Sequence, residues 1–203
     1  MSTLPPVMRP IPREKYDKTT LYTLWILSGL TSALIITRLV WRWRIARKYH
    51  MDDYWMAFSL FPLLLRLGCI HYALIYFTAY ITNPKYRNGG MSTEEIRRRV
   101  IGSKTILPGR AFYAGFLWCM KVCILVWFGR ITRKTGGYGI AIKFTYFFLG
   151  ISLLVVLLST FLECRPINLY WQIYPNPGKC VKATYQLWTT GILNMLVFPT
   201  QAY

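Results

Sequence analysis

The sequence predicts an all-α, multi-pass transmembrane helix bundle, with five predicted spans. Three observations carry that expectation. The 203 residues are 54% hydrophobic and 17% aromatic, above the roughly 45–50% apolar share of an ordinary globular domain. The apolar residues fall into long runs close to the roughly 20 residues that cross a hydrocarbon core of about 30 Å. The net charge is +18 although charged residues make up only 16%, and the cations sit in short stretches between the apolar runs. A nucleic-acid binder would carry its basic residues on a solvated face, and no such face is left. The expected partner is the lipid bilayer, not nucleic acid.

The predicted spans are about 21–41, 54–80, 108–129, 140–163 and 184–203. Residues 1–20 precede them as a tail with Pro5, Pro6, Pro10 and Pro12. That tail has no apolar core followed by a small-residue cleavage site, so the first apolar run is expected to act as its own insertion signal. The second run exceeds the need of a bilayer, and tilt or extension beyond the lipid is expected. The fifth reaches Tyr203 with Pro199 near its end and no polar tail. The transmembrane domain over 21–203 is therefore expected to be incomplete.

The connections differ in character. Segment 42–53 is short and basic, with Arg42, Arg44, Arg47 and Lys48 before Asp52 and Asp53. Segment 81–107 contains Ser92 and Glu95 at capping-box spacing, which predicts a short surface helix there. Segment 130–139 carries Arg130, Arg133 and Lys134. The two short basic loops place their cations tightly beside helix ends, where the positive-inside bias acts most strongly. They are expected in the cytoplasm, with the N-terminus and its tail outside and the plasma membrane as the location.

Cys69, Cys119 and Cys123 fall inside predicted spans and read as small apolar residues. Cys164 and Cys180 flank the fourth loop. With that loop outside, both thiols lie in an oxidising space, and a Cys164–Cys180 disulfide is expected.

Ionisable groups inside a span cost about 2.5–3.5 kcal/mol on insertion scales, so each invites a functional reading. Arg38, near the inner end of the first span, is explained by snorkelling to the interface. Arg66 lies thirteen residues beyond Asp53, about 20 Å along a helix. No acid lies in any central span, so Arg66 is expected to use backbone carbonyls, water or an anionic ligand. His71 follows five residues later. Lys121 precedes Arg130 by nine residues, about 13 Å along the helix, and with helices 2 and 3 as neighbours a contact to Asp52 or Asp53, strained by the depth difference, is expected. No catalytic constellation is recognisable, so no enzyme activity, cofactor or metal is expected.

In order along the chain, these motifs resemble the fungal rhodopsin-like seven-helix integral membrane family. Arg38 and Arg42 leading to Asp52-Asp53-Tyr54 are similar to its signature between helices 1 and 2. Tyr113, Lys121-Val122-Cys123-Ile124-Leu125 and Arg130-Ile131 are similar to its helix 3 pattern. Cys164, Pro166, Trp171 and Cys180 are similar to its loop after helix 4. The resemblance spans roughly 38–180. It departs at Cys69, where the family often has glycine, at Cys123, where it has serine, and at Asn194, the nearest polar group to the acid it expects before Pro199. The resemblance implies seven helices with the N-terminus outside, so two further helices are expected to belong to the fold beyond the fifth. It does not imply retinal, because the lysine that would hold it belongs on a last helix.

The resulting expectation is a receptor-type protein that senses an external cue and signals inward to a cytoplasmic protein. Its cavity would be lined by helices 2, 3 and 5, with Arg66, His71 and Asn194 as polar groups. Two alternatives stand beside it: a small-solute or proton-coupled transporter, and a nonfunctional or regulatory truncated fragment.

Overall fold

The computed structural model describes residues 18–76, 93–132, 139–172 and 184–200. Five α-helices account for nearly all of them: α1 Lys18–Ala46, α2 Met51–Tyr76, α3 Thr93–Thr132, α4 Gly139–Leu162 and α5 Thr184–Thr200, with a 3-10 turn at Ile167–Tyr170 between the last two. There is no strand among the described residues. Four of the helices, all but α5, are long and apolar enough to cross a membrane. The 17 residues of α5 reach about 26 Å, just short of a hydrocarbon core. Residues 201–203 of the predicted fifth span lie outside the described residues.

The helices carry apolar side chains outward. Ile26, Leu34, Phe61, Phe147 and Leu158 are all exposed, which water would penalise and lipid does not. Because lipid is as apolar as leucine, burial does little to hold such helices together; small side chains and hydrogen bonds take over. The helix contacts follow that rule. Ser59, Ser103, Ser152 and Thr160 are buried, and each hydroxyl donates to a carbonyl three or four residues back. These side chains thus enter the interior without an unsatisfied polar group. The indole Nε1 of Trp118 donates to the Leu149 carbonyl and to Ser152 Oγ, both at 3.0 Å, and so ties α3 to α4.

The most extensive interface joins α2 and α3. The buried residues of α2, Asp52, Asp53, Met56, Ser59, Pro62, Leu63, Leu67 and Ala73, recur mostly at the three- and four-residue steps of one helix face. Glycines on α3 let the two helices close. A Cβ at Gly109 would stand 3.2 Å from Cys69 Cβ, and one at Gly115 would stand 3.8 Å from Pro62 Cβ.

The structure corrects the expectation of a separate surface helix ahead of the third span. Thr93–Thr132 is one helix of 40 residues that runs through Pro108. At 1.5 Å per residue it is about 60 Å long, roughly twice the hydrocarbon thickness. Its N-terminal turns, with Glu94 paired to Arg98 at 3.3 Å, extend the span instead of turning away from it. A proline costs one backbone hydrogen bond and bends a helix, and the continuous helix absorbs both. Ser92, the other half of the predicted capping box, lies outside the described residues.

α1 ends in a residue with left-handed backbone, Arg47 at φ 46°. This is the usual way to stop a helix, though glycine or asparagine commonly fills the position. The chain then turns within four residues into α2. The His50 carbonyl accepts from the Asp53 amide at 2.9 Å, and Asp53 Oδ2 accepts from the His50 amide at 3.0 Å. The second bond is the return half of a capping box, the Asp53 side chain reaching back to the amide that precedes the helix.

Candidate functional site: two carboxylates under three arginines

Asp52 and Asp53 are 0% and 1% exposed. Buried carboxylates need compensation, and three helices supply it. From α1, Arg38 Nη2 reaches Asp52 Oδ2 at 3.4 Å. Arg42, one turn later, bridges Asp52 and Asp53, also at 3.4 Å each. From the last turn of α3, Arg130 Nη2 lies 3.0 Å from Asp52 Oδ1. His50 Nδ1 stands 4.0 Å from Asp53 Oδ2. The thiol of Cys123 on α3 donates to the Asp52 carbonyl at 3.3 Å. One end of the bundle is therefore held by an ion cluster that joins α1, α2 and α3.

Sequence reasoning named Arg38, Arg42, Asp52, Asp53 and Arg130 without seeing that they meet. Arg38 does not simply snorkel away from lipid; it pairs with Asp52. Tyr54, on the next turn position, is exposed and lies beside Tyr49 with ring centroids 6.1 Å apart. Lys121 Nζ lies 4.3 Å from the centroid of Trp118, three residues toward the other end of α3. The Asp52 and Asp53 carboxylates are served by the arginines.

The residues expected to line a cavity take separate positions. The Arg66 guanidinium sits 4.4 Å from the centroid of Tyr113 on α3. A cation over a ring face compensates a buried charge without a carboxylate, and the sequence did not suggest this partner. His71 Nδ1 accepts a hydrogen bond from Trp25 Nε1 on α1 at 3.2 Å. Asn194 is half-buried on α5, and α5 packs along α4, not along α2. Neither of the two cavities described below includes Arg66, His71 or Asn194.

A second cluster forms against the N-terminal half of α3; the sequence singled out its Cys164, Pro166 and Trp171 but not Tyr170, Leu107 or Arg110. Leu107, Cys164 and Tyr170 are buried together, with Leu169 and Trp171 against them. Pro166 leads the 3-10 turn that brings Tyr170 inward. The Tyr170 hydroxyl donates to the Thr160 carbonyl, and Arg110 and Glu163 flank the same ring. Lys104 Nζ lies 5.3 Å from the centroid of Trp171. Burial raises the Tyr170 phenol above its ordinary value, Glu163 raises it further, and Arg110 opposes them. Glu163 Oε1 also accepts from the Tyr185 amide at the start of α5. Beside Cys164, Pro166 and Trp171, a further sequence signal was Glu163, an acid at the end of a long apolar run.

Cys164 is disulfide-bonded, whereas Cys69, Cys119 and Cys123 are free. Cys180, its expected partner, lies outside the described residues, as does the tail over 1–17.

Two cavities open between helices. One, of about 570 Å³, is lined by Arg38, Arg42, Met56, Met120, Cys123, Ile124 and Trp127. The other, of about 690 Å³, lies among α2, α3 and α4 and is almost wholly apolar, with walls that include Trp55, Trp118, Cys119, Tyr146 and Leu153.

Comparison with known families adds one result. The family model described as fungal rhodopsin domain matches residues 37–197. No curated relative and no solved structure matches the chain. The matched stretch begins one residue before Arg38 and takes in the whole ion cluster, the disulfide-bonded Cys164 and most of α5. With its long apolar helices, this multi-pass membrane protein belongs to the fungal rhodopsin domain family.

Proposed function

We propose that this protein is a receptor-type member of its family, set in the plasma membrane with its N-terminus outside, which registers an external cue and passes a change in helix packing inward. One observation carries the reading: a buried ion cluster ties three helices at one end of the bundle. The cluster is paired in this structure, and in the proposed switch it also parts, since a switch needs an element with two discrete arrangements. α3 links it to the other end. Arg110, beside Tyr170, and Arg130, on Asp52, are twenty residues apart on one helix, about 30 Å. A shift of α3 at the Tyr170 end therefore bears on the Asp52 end.

Sidedness is supported from both ends. The basic connections suit the cytoplasm, and the disulfide-bonded Cys164 at the far end suits an oxidising exterior. The reading assigns no chemical reaction to the protein, and its inner partner is a cytoplasmic signalling protein that meets the Asp52 end.

The test reconstitutes the full chain in liposomes with a fluorescence pair on Tyr49 and Ile131, which are exposed on either side of the cluster. Small solutes, peptides or lipids offered from the N-terminal side should change the transfer between the two dyes, without ion current or solute uptake. Current or uptake that Arg66→Leu abolishes would overturn the reading in favour of transport.

A further inference from the structure

The cavity of about 570 Å³ beside the ion cluster is two-faced. Arg38 and Arg42 form its polar wall, and Met56, Met120, Ile124 and Trp127 form the rest with Cys123. α1 and α3 share an apolar cluster through Ile35, Leu39, Phe116 and Met120. Nearer the Asp52 end the space between those two helices opens, and this is where the cavity lies. Arg38 is 39% exposed and Ile124 48%, so the opening faces the surroundings of the bundle. Arg42 stands four residues, or about 6 Å, before the end of α1, a position that suits the headgroup level of one leaflet.

The charge of the cluster is not balanced. Three guanidiniums face two carboxylates, and the contacts of Arg38 and Arg42 to them are long, at 3.4 Å. A guanidinium has five N–H donors, so both arginines retain donors that can turn to the cavity. We propose that this cavity is a specific site for an anionic phospholipid of the adjacent leaflet. The lipid phosphate lies between Arg38 and Arg42. The upper part of one acyl chain lies against Met56, Met120, Ile124 and Trp127. Arginine is suited to phosphate because its planar fork donates two parallel hydrogen bonds. The apolar wall below distinguishes a lipid from a soluble anion, which has nothing to place there. The site stands independently of the receptor reading, since it needs only the cavity and its two arginines.

The experiment places the full chain in nanodiscs of phosphatidylcholine mixed with phosphatidylglycerol of the same chains, followed by native mass spectrometry of the released protein. Wild type should retain phosphatidylglycerol about ten- to thirtyfold over phosphatidylcholine, the scale of two basic contacts at a membrane surface. Arg38→Gln should bring that ratio near parity. Because Arg38 also holds the ion cluster, Ile124→Trp serves as a second variant: it fills the apolar wall from an exposed position and leaves every ion pair in place. It too should remove the enrichment, with thermal stability in pure phosphatidylcholine unchanged. Equal retention of the two lipids by wild type overturns the site. Enrichment that survives Ile124→Trp also overturns it, because diffuse attraction to a basic helix end needs no cavity. Displacement of the lipid by millimolar glycerol 3-phosphate would show a soluble-anion site instead.

Discussion

Arg130 Nη2 approaches Asp52 Oδ1 to 3.0 Å and thereby fastens the last turn of α3 to the first turn of α2. It is the shortest of the ion pairs on Asp52, and it joins residues far apart in sequence. Removing one partner of a buried pair strands the other, which costs about 3–5 kcal/mol. Asp52→Asn should therefore lower stability in detergent by about that much, because it leaves three arginines around one remaining carboxylate. Arg130→Gln should cost less, because Arg38 and Arg42 still serve Asp52. A thermal-unfolding double-mutant cycle reads the coupling between them, and additive single effects would show that the contact carries no energy.

Arg66 tests a different kind of compensation. If the Tyr113 ring face carries it, Tyr113→Phe should change stability by under about 0.5 kcal/mol, since the quadrupole remains. Tyr113→Leu should cost about 1–2 kcal/mol, the scale of a desolvated cation–π contact. Equal losses from Phe and Leu would point to the phenol hydroxyl as the group that matters. Denaturant or thermal titration in one detergent distinguishes the two.

Two glycines make a controlled comparison. A methyl at Gly109 would meet Cys69 Cβ at 3.2 Å, whereas one at Gly68 would meet nothing within 4 Å. A Cβ cannot rotate away, so at Gly109→Ala the Cys69 side of the interface has to give by a few tenths of an ångström. A cost of about 1–2 kcal/mol is expected from such overpacking. Gly68→Ala should be neutral or stabilising by up to about 1 kcal/mol, the helix propensity gained. The melting temperatures of the two variants check the tightness of this interface.

Tyr170 sets a pH dependence. Its phenol is raised in the fold by burial and by Glu163, so the neutral form is favoured over that in the unfolded chain. Its contribution is fully present below the unfolded value of about 10 and is lost as pH rises through the higher folded value. Tyr170→Phe should flatten that alkaline fall. At neutral pH it should cost about 1 kcal/mol for the hydrogen bond to the Thr160 carbonyl. Melting curves of both proteins between pH 8 and about 11.5 give the slopes, and identical alkaline slopes would count against the assignment.

The fold was legible because lipid imposes a coarse rule. Every spanning segment needs an unbroken apolar stretch, so α1, α2 and α4 stand out in the sequence. The rule says little about where a helix continues past the lipid, and the charged stretch before Pro108 therefore read as a separate element. Proline usually marks a boundary, but the continuous helix tolerates it at position 108. The ion cluster was half legible. Its members were recognisable as motif residues, yet pairing Arg130 with Asp52 requires knowing that α2 and α3 pack antiparallel in one register. Arg66 and His71 were recognisable as costly polar groups, but their partners Tyr113 and Trp25 are aromatics, which sequence reasoning treats as lipid-facing mass. The Tyr170 cluster was legible only in Cys164, Pro166 and Trp171, since the 3-10 turn is what brings the Tyr170 ring against α3.

The most direct test of the central claim, that the Asp52 cluster holds the three helices in one of two arrangements, is a distance. Spin labels on Tyr49 and Ile131, both exposed, report the separation of the α1–α2 turn from the end of α3 in nanodiscs. Wild type should give a single narrow distribution by pulsed electron paramagnetic resonance. Asp52→Asn, and more mildly Arg130→Gln, should add a second population at longer distance while circular dichroism shows the helices retained. Folded variants whose distributions superimpose on that of wild type would contradict the claim, and the cluster would then be a static brace.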